Sequence, residues 1–296
     1  MEGFYAAHPE RLSARAVAAD ADGGGNGDSR KQKQFRLLSG YDAVAQWLRD
    51  GLDPDRTDVR LSTIAETLVW KSGGVTRTCR GGDGTPRAPL RARAAVVTLP
   101  HAVLKAGGLR FDPPIAAKQR ALAGLETGNV CKIVLRFRHV FWEDEGFLEA
   151  GRPLTFLHAH GADFPTWWSA APVRAPLLTA WVGGKRAEAL LAETPAVRLR
   201  RTLAALASLL GMPSRRLEEL LDGWATHDWR ADPFSRGAYS YIGVGGADAP
   251  RALARPVGGT LFFAGEATNG EQLATVAGAL GSGRRAAREV IRALAR

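Results

Sequence analysis

A carboxylate beside a helix start is the most chemically suggestive feature of this 296-residue sequence. Residues 260–264 are short, apolar and aromatic, which predicts a buried strand, and Gly265-Glu266 stands at its end. Small residues then recur at helical spacing, and Thr275 is placed to begin that helix. Because a helix N-terminus offers free N–H groups and a positive dipole, the stretch indicates a site for an anionic or acceptor-rich ligand. A strand and helix that merely pack explain the composition equally well.

A lysine inside an apolar strand is the second candidate. Residues 130–137 alternate between two sets of mostly apolar side chains, which predicts a strand that is apolar on both faces with Lys132 embedded in it. A buried lysine loses solvation energy and is uncommon unless it is paired or functional. The alternative is a lysine at a strand edge whose ammonium group reaches water.

Other types of site are disfavoured by the residues present. Cys79 and Cys131 are the only cysteines, so the sequence has no disulfide framework and no cysteine metal-ligand set. His158 and His160 would share a strand face, but no third ligand stands out, which favours exposed or hydrogen-bonded side chains over a metal. Residues 281–286 fit G-x-G-x-x-A but fall inside the predicted helix, where a dinucleotide fingerprint does not occur.

Charge and hydropathy limit the binding partners and the cellular location that the sequence indicates. The net charge of +10 comes from arginines scattered along the whole chain, without a basic run interleaved with aromatic residues. A solvated surface, or one that faces a partner, therefore explains the charge better than nucleic-acid binding. No run approaches the roughly 20 apolar residues of a membrane span, and the first residues lack the plan of a secretory signal. We therefore expect a cytoplasmic protein.

Strands and helices of ordinary length surround these candidates, and their mixture predicts an α/β fold. A glycine-rich, polar tract at residues 20–33 predicts a flexible loop after an N-terminal helix. The predicted helices are residues 41–52, 115–125, 195–211 and a shorter one capped by Ser214, and the predicted strands are residues 35–38, 59–64, 68–71, 75–79, 94–99, 153–158 and 177–182.

The C-terminal stretch carries a family resemblance. Leu-Phe-Phe-Ala-Gly-Glu-Ala-Thr, followed by Ala-Thr-Val-x-Gly-Ala-Leu-x-Ser-Gly-x-Arg-x-Ala, resembles the flavin-binding segment of the flavin-dependent amine oxidases. That family includes monoamine oxidases, polyamine oxidases and the flavin-type histone lysine demethylases. The resemblance implies that Glu266, with Gly265 before it, contacts FAD together with Thr275 and Val276.

The lysine strand resembles the same family, whose members carry Asn-x-x-Lys-Val/Ile-x-Leu-x-Phe followed by Phe-Trp. The resemblance implies a catalytic role for Lys132. The lysine would hold a water against the reactive nitrogen of the flavin and assist the transfer of electrons from reduced flavin to oxygen.

The segment around residues 223–241 also matches, with Trp229, then Asp-Pro, then Gly-Ala-Tyr-Ser. The resemblance implies that Trp229 and Tyr239 flank the flavin and form one wall of the amine pocket. Such a wall excludes water and stabilises positive charge on the substrate. Ala238 stands where monoamine oxidases attach their flavin through cysteine, so FAD is expected to be non-covalent. Thr275 replaces a second pocket tyrosine, so a two-tyrosine cage is not expected.

Two further positions border the adenine end of the flavin by resemblance. They are the Thr-Leu-Pro turn that ends at Pro100 and Ala65, which follows a Leu-x-Thr sequence. A β-meander with an ordinary proline stop explains both positions nearly as well.

The resemblance covers only the later part of the family pattern. The G-x-G-x-x-G unit that cradles the pyrophosphate in these enzymes is not found before residue 34. The expected organisation is a helix and flexible loop (1–33), a first FAD-domain segment (34–105), an inserted substrate domain with a mixed sheet (106–228) and a second FAD-domain segment (229–296). The chain is accordingly expected to be a fragment, a remnant, or part of an enzyme completed by an N-terminal chain.

The function implied by the resemblance is FAD-dependent oxidation of an amine to an imine, with oxygen as the electron acceptor. The expected partners are a small-molecule amine, oxygen and the complementing N-terminal chain. Two alternatives stay open from the sequence. One is a truncated, inactive homologue that acts as a binding protein, and the other is a related flavin oxidoreductase, such as a desaturase, that acts on a non-amine.

Overall fold

The computed structural model describes residues 2–22, 37–144 and 154–295. Its helices are α1 (Glu2–Tyr5), α2 (Ala14–Asp22), α3 (Asp42–Asp50), α4 (His101–Lys105), α5 (Ala116–Ala123), α6 (Gly184–Leu191), α7 (Pro195–Leu210), α8 (Ser214–Leu220), α9 (Ala249–Ala254) and α10 (Val276–Leu294), with 3₁₀ helices at Phe141–Glu143 and Glu266–Thr268. Among these described helices, none combines the length and the apolar character that crossing a membrane requires.

The strands are β1 (Thr63–Lys71), β2 (Gly74–Gly81), β3 (Pro86–Ala92), β4 (Ala95–Val97), β5 (Arg110–Asp112), β6 (Leu125–Gly128), β7 (Val130–Phe137), β8 (Phe156–His158), β9 (Thr166–Ser169), β10 (Leu177–Gly183), β11 (Leu221–Thr226), β12 (Tyr239–Ile242) and β13 (Leu261–Phe263). They form sheets in the orders β3-β2-β1-β5, β11-β7-β10-β9-β8, β12-β6 and β13-β4. The predicted α/β class is confirmed. The four-stranded sheet is mixed because β1 and β5 run parallel, whereas every pairing in the five-stranded sheet is antiparallel.

The largest core lies on one face of the five-stranded sheet. Strand β7 turns Cys131, Ile133, Leu135 and Phe137 into this core, where side chains of α6, α7 and α8 cover them. Helix α7 has the ends that its sequence predicts. Thr194 caps its first turn, a proline follows at the first helical position, and a left-handed glycine ends it. The predicted helix at residues 195–211 is therefore confirmed.

A second core surrounds the parallel pair β4–β13. Phe263 and the rest of β13 are fully buried there. Lys118 of α5 reaches the same core, and its ammonium group lies 4.1 Å from the centroid of the Phe263 ring. This ammonium group also donates hydrogen bonds to the carbonyls of Ala252 at 3.0 Å and Leu253 at 2.7 Å, and to that of Arg255. A buried lysine thus caps the C-terminal end of α9.

Several predicted elements differ in detail. Strand β1 is continuous where two strands, 59–64 and 68–71, were predicted, because a bulge between Ala65 and Thr67 takes the place of a turn. Of the predicted strand at 35–38, the first two residues lie outside the described residues, and the last two do not form a strand. Ser214 is the first residue of α8 rather than its cap. Most of the predicted loop at 20–33 lies outside the described residues.

The N-terminal part contains two helices where one continuous helical pattern was predicted. Helices α1 and α2 are separated by residues 6–13, and Ala6 has a left-handed φ of 50°. Leu12 of this connection forms an isolated antiparallel bridge with Gly243. Tyr241, which is 1% exposed, packs against Ala7 and Leu12. The first residues of the chain are therefore fastened to β12.

Candidate functional site

The start of α10 has the predicted geometry. Thr275 is its N-cap, and the threonine hydroxyl accepts a hydrogen bond from the N–H of Gly278 at 2.9 Å. The same hydroxyl donates to the carbonyl of Gln272 at 2.8 Å. Thr275 and Val276 are both exposed, so the first turn of this 19-residue helix faces an open surface. A helix end of this kind offers N–H groups and positive dipole to an anionic group.

Gly265 connects β13 to this helix. Its φ of 127° lies in a region that favours glycine. Its N–H donates to the hydroxyl of Ser282 in α10 at 2.8 Å. A β-carbon built on Gly265 would lie 3.9 Å from the carbonyl oxygen of Thr98, so the turn that leads to Pro100 passes beside it. Two of the predicted cofactor-binding segments therefore meet at this glycine.

Glu266 follows in the 3₁₀ helix, and its carboxyl group is held in place. One carboxyl oxygen accepts hydrogen bonds from the hydroxyl of Ser240 at 2.6 Å and from the N–H of Ala274 at 2.9 Å. Ala274 has a left-handed φ of 62°, a strained conformation for alanine that places its N–H next to this carboxyl group. Burial raises the pKa of Glu266, although both hydrogen bonds act to lower it.

A buried histidine completes the surroundings of Glu266. His101, the first residue of α4, is 2% exposed. Its Nδ1 lies 3.9 Å from the second carboxyl oxygen of Glu266, and its Nε2 lies 2.9 Å from the hydroxyl of Thr127. Burial, followed by the charge of Lys105, lowers the pKa of His101 to about 4, so the imidazole is neutral at physiological pH.

Sequence reasoning missed the roles of His101, Ser240 and Ala274. For the first two, the sequence carries no signal that their side chains would converge on Glu266. They are 165 and 26 residues away from it along the chain. The sequence also gives no sign of the left-handed conformation of Ala274, because alanine rarely adopts it.

Tyr239 and Ala238 lie next to this network. Tyr239 begins β12 and pairs with Gly128 at the end of β6, while the N–H of Ala238 donates to the carbonyl of Gly128 at 2.9 Å. Burial raises the pKa of Tyr239 to about 12, so its phenol keeps its proton. Ala238 is exposed. Since Ser240 is adjacent to Tyr239, the hydrogen bond to Glu266 joins the predicted pocket wall to the predicted cofactor site.

Trp229 lies in the loop that follows β11, three residues after the strand ends at Thr226. The ring is 45% exposed, and it contacts His227 edge-on with ring centroids 4.3 Å apart. Its carbonyl accepts a hydrogen bond from the N–H of Gly237 at 2.9 Å. The loop thereby places Trp229 near the residue that precedes Ala238.

Lys132 is exposed, so the prediction of a buried lysine is wrong. The physical reason is that α6, α7 and α8 cover only the other face of the five-stranded sheet. Lys132 lies on the open face, opposite Trp181 of β10 in the antiparallel register. The strand begins two residues after Gly128, the partner of Tyr239, so Lys132 and Tyr239 belong to adjoining segments. The catalytic role of Lys132 stays a prediction.

The two positions predicted to border the adenine end of the flavin are Pro100 and Ala65. Pro100 is exposed and precedes α4 with a φ of −53°. Ala65 is half-buried in β1 and packs against the core that contains Val97 and Phe263. These core strands lead directly to Pro100 and Gly265, so Ala65 shares their scaffold rather than the hydrogen-bond network of Glu266.

The donor set at Glu266 suits an organic ligand better than a metal ion. A desolvated carboxyl group, an exposed helix start and a glycine at the strand end can hydrogen-bond hydroxyl and anionic groups. In the part of the chain that the structure describes, no group of three histidine, cysteine, aspartate or glutamate side chains could hold a metal. His158 instead stacks on Phe156, with ring centroids 6.1 Å apart. These residues fit the hydroxyl-rich and anionic character of FAD.

Comparison with protein families gives a match over nearly the whole chain. The family model described as flavin containing amine oxidoreductase matches residues 2–291. The "Lysine-specific histone demethylase 1 homolog 1" of Oryza sativa subsp. japonica is 34% identical over 235 residues, which cover 77% of this chain and 27% of that protein. The human "Lysine-specific histone demethylase 2" is 28% identical over 259 residues, which cover 86% of this chain and 30% of that protein.

Solved structures share the fold. Cyclohexylamine oxidase from Brevibacterium oxydans IH-35A superposes with a TM-score of 0.77 and 22% identity, over 100% of this chain and 63% of that chain. Putrescine oxidase with bound putrescine superposes with a TM-score of 0.71 and 22% identity, over 87% of this chain and 54% of that chain. The chain thus spans about a third or less of these two curated relatives and somewhat more than half of the solved chains.

Proposed function

Because the chain belongs to the family of flavin-containing amine oxidoreductases, we propose that it forms the flavin-facing and substrate-binding part of an FAD-dependent amine oxidase. The observation that carries this proposal is the hydrogen bond between Glu266 and Ser240. It joins the segment that ends at the α10 start to the segment that begins with Tyr239. A cofactor contact and a pocket wall are thereby held in one arrangement, as oxidation of a bound amine requires.

Four residues would hold the cofactor from this chain. Glu266 offers its carboxyl group to a hydroxyl, Gly265 lets the ligand approach the backbone, and Thr275 and Val276 present the first turn of α10. The chemistry supplied there by bound FAD is the two-electron oxidation of an amine to an imine and the return of the electrons to oxygen. Since Ala238 has no sulfur to form a thioether, we infer that the cofactor is held without a covalent bond.

We assign three residues to the binding and reaction of the substrate, each with its own role. Tyr239, whose phenol keeps its proton, and the half-exposed Trp229 supply neutral aromatic faces that exclude water and stabilise a cationic amine. Lys132 holds a water and a positive charge next to the reacting centre. These assignments are supported by the family membership and by the adjoining placement of β7 and β12 around Gly128.

We assign the binding of the FAD pyrophosphate to polypeptide outside residues 1–296. The chain spans 54% and 63% of the two solved chains, and the G-x-G-x-x-G unit expected in this family has no counterpart before residue 34. We therefore propose that a dinucleotide-binding βαβ unit completes the site. A cytoplasmic location, where amine and oxygen are both available, remains part of the proposal.

The test of the proposed function is a visible absorption spectrum of the purified protein with FAD, followed by amine turnover. Retained flavin that denaturation releases, together with peroxide production from an amine, is the expected result once the βαβ unit is supplied. Flavin that stays attached after denaturation would contradict non-covalent binding. Retained flavin without turnover of any amine would favour the non-amine alternative, and binding of other proteins without flavin would favour the inactive homologue.

A matched pair of variants tests Lys132 in the flavin-loaded protein. Lys132→Met should slow reoxidation of the reduced flavin by oxygen at least tenfold, because it removes the positive charge and the ligand of the water. Lys185→Met, at another exposed lysine, is the control and should leave the rate unchanged. Stopped-flow absorbance after anaerobic reduction measures both rates. Because Lys132 is exposed, its substitution should also leave the thermal midpoint nearly unchanged.

A further inference from the structure

The N-terminal strap, residues 5–13, has no role in the proposed function, although it lies beside the candidate site. Ala6 and Ala7 of this strap are fully buried. A β-carbon on Gly128 would lie 2.9 Å from the β-carbon of Ala6, so the strap passes close to the glycine that pairs with Tyr239. The left-handed φ of 50° at Ala6 is a strained conformation for alanine, which contacts with the surrounding structure must maintain.

One carboxyl oxygen of Glu188 in α6 holds this strap. The Nε2 atom of His8 lies 2.7 Å from Oε1 of Glu188, and the same oxygen accepts a hydrogen bond from the side-chain amide of Asn129 at 2.8 Å. Burial acts to raise the pKa of Glu188, but the hydrogen bonds from His8 and Asn129 outweigh it, so this pKa is lowered. The group is therefore a carboxylate at neutral pH, and a charged acceptor forms stronger hydrogen bonds than a neutral one.

Asn129 occupies the joint between two sheets. It is the only residue between β6, which pairs with β12, and β7 of the five-stranded sheet. Tyr239 is held on one side of this joint by its pairing with Gly128, and Lys132 lies three residues beyond Asn129 on the other side. The carbonyl of Asn129 also accepts a hydrogen bond from the N–H of Gly184, the first residue of α6, at 3.0 Å. The direction in which the chain leaves Asn129 therefore determines how far Lys132 lies from Tyr239.

The loop that carries Trp229 is attached to the same helix. The guanidinium group of Arg230 donates a hydrogen bond to the carbonyl of Leu191, the last residue of α6, at 3.1 Å. Helix α6 is itself fixed, because Ala187 and Leu190 pack in the largest core. The joint between the sheets and the loop of the predicted pocket wall therefore share one support.

The strap has a second contact with α6, but this contact is more exposed. Glu10 and Lys185 form an ion pair at 2.5 Å in which both side chains are more than half exposed. Exposed ion pairs contribute little to stability, because water competes for both groups. The side chain of His8, by contrast, is 17% exposed and that of Glu188 is 35% exposed. The contact between His8 and Glu188 is therefore the stronger attachment.

We propose that Glu188 is a positioning residue for amine oxidation, with His8 and Asn129 as its two hydrogen-bond donors. Its carboxylate holds the strap against the joint between β6 and β7, and so keeps Lys132 at a fixed distance from Tyr239. The inference rests on the proposed function, in which these two residues act on one substrate. A displacement of about 1 Å between reacting groups can slow a reaction by about a hundredfold, so loss of this contact should reduce the rate.

The test compares Glu188→Ala, Glu188→Gln and Glu193→Ala. Glutamine keeps an oxygen that accepts hydrogen bonds from both donors, whereas alanine removes it. Glu193, an exposed glutamate just after α6, provides the control. The first measurement is hydrogen exchange at residues 5–13 and 125–132 in the chain alone. Glu188→Ala should speed this exchange by about tenfold or more, and the other two variants should stay within about threefold of wild type.

The second measurement is the rate at which oxygen reoxidises the reduced flavin, followed by stopped-flow absorbance in the flavin-loaded protein. Glu188→Ala should slow this rate about tenfold, because Lys132 is no longer held in place, and Glu188→Gln should keep it within about threefold of wild type. His8→Ala should reproduce the slow rate. His8→Gln should restore it, since the glutamine amide can donate to Glu188 from nearly the same position. A role in stability alone would lower the thermal midpoint and leave this rate unchanged.

The outcomes separate this inference from the proposed function. Unchanged exchange in Glu188→Ala would overturn the inference, whether or not flavin is retained. Faster exchange with an unchanged reoxidation rate, in a protein whose wild type turns over an amine, would refute the positioning role and leave the proposed function standing. A wild type that retains no flavin once the βαβ unit is supplied would overturn the proposed function and the positioning role with it. Equal slowing by alanine and glutamine at position 188 would contradict the hydrogen-bond role, since glutamine keeps the acceptor.

Discussion

The carboxyl group of Glu266 and the imidazole of His101 face each other across 3.9 Å in surroundings that disfavour charge on either group. Burial raises the pKa of the glutamate and lowers that of the histidine. The imidazole is therefore neutral at physiological pH, so the network is held by hydrogen bonds from Ser240 and Ala274 to Glu266 and not by an ion pair with His101. An uncharged histidine at this place avoids the cost of desolvating a second charged group.

The pH dependence of stability follows from His101. Its folded-state pKa of about 4 lies below the ordinary value of 6.5, so the unfolded chain binds the proton first as the pH falls. The contribution to stability is complete above pH 6.5 and is lost as the pH falls toward 4, to a total of about 3 kcal/mol. Urea unfolding between pH 7 and pH 4 measures this loss.

Two substitutions isolate the histidine in that experiment. His101→Gln should remove most of the loss between pH 6.5 and pH 4, because glutamine does not titrate. His139→Gln, at an exposed histidine, should leave the wild-type pH dependence in place. Glu266 acts in the opposite direction, since a raised carboxyl pKa favours the folded state at low pH. A wild-type stability that does not fall over this range would contradict the assignment for His101.

At the scale of the element, α10 combines a cap, small residues and a close backbone contact. A β-carbon on Gly278 would lie 2.0 Å from the carbonyl oxygen of Gln272, whereas one on Gly283 would meet nothing within 4 Å. We expect Gly278→Ala to destabilise the protein by about 2 kcal/mol or more, since the backbone must move. Gly283→Ala, in the same helix, should stabilise it by about 0.5–1 kcal/mol. Chemical unfolding of both variants checks the contrast, and equal effects would refute the contact.

Lys118 stabilises a second element, because its ammonium group donates hydrogen bonds to carbonyl groups at the C-terminal end of α9. Lys118→Met should cost about 2–4 kcal/mol of unfolding free energy, as it leaves carbonyl groups unsatisfied in a buried place. Lys71→Met, at an exposed lysine, should change the free energy by less than about 0.5 kcal/mol. Urea unfolding at pH 7 distinguishes the two, and a loss below about 1 kcal/mol for Lys118→Met would show that water replaces the lysine.

The sequence predicted those elements whose signals are local. The cap at Thr275, the α10 helix, the β13 strand and the ends of α7 all follow from spacing and end residues. Features that depend on distant packing could not be predicted. The exposure of Lys132 depends on which sheet face the helices cover, since both sets of its strand are largely apolar. The contacts around Glu266 bring together segments that are far apart in the chain, and no local sequence pattern indicates that these segments meet.

At the scale of the whole molecule, two parts of the protein differ in how fully their apolar side chains are buried. The core of the five-stranded sheet is covered by three helices, whereas the predicted FAD-domain segments contribute to smaller cores and carry most of the exposed apolar side chains. Local stability should follow this division, because few buried contacts mean easy local opening. In the chain alone, amides of α3 should exchange with solvent at least a hundredfold faster than those of α7. Hydrogen exchange with mass spectrometry makes the comparison, and equal protection would contradict the division.

The contrast between Lys132 and Lys118 has a practical consequence for following assembly. The first amine lies on an open sheet face, and the second is 3% exposed with its hydrogens committed to carbonyls. An acylating reagent should therefore modify Lys132 readily and spare Lys118 as long as the protein is folded. Covering the sheet face would slow labelling of Lys132 alone, and unfolding would release both amines. The extents of labelling of the two peptides would thus distinguish an open molecule, in which only Lys132 reacts, from a completed one, in which neither reacts readily, and a denatured one, in which both react.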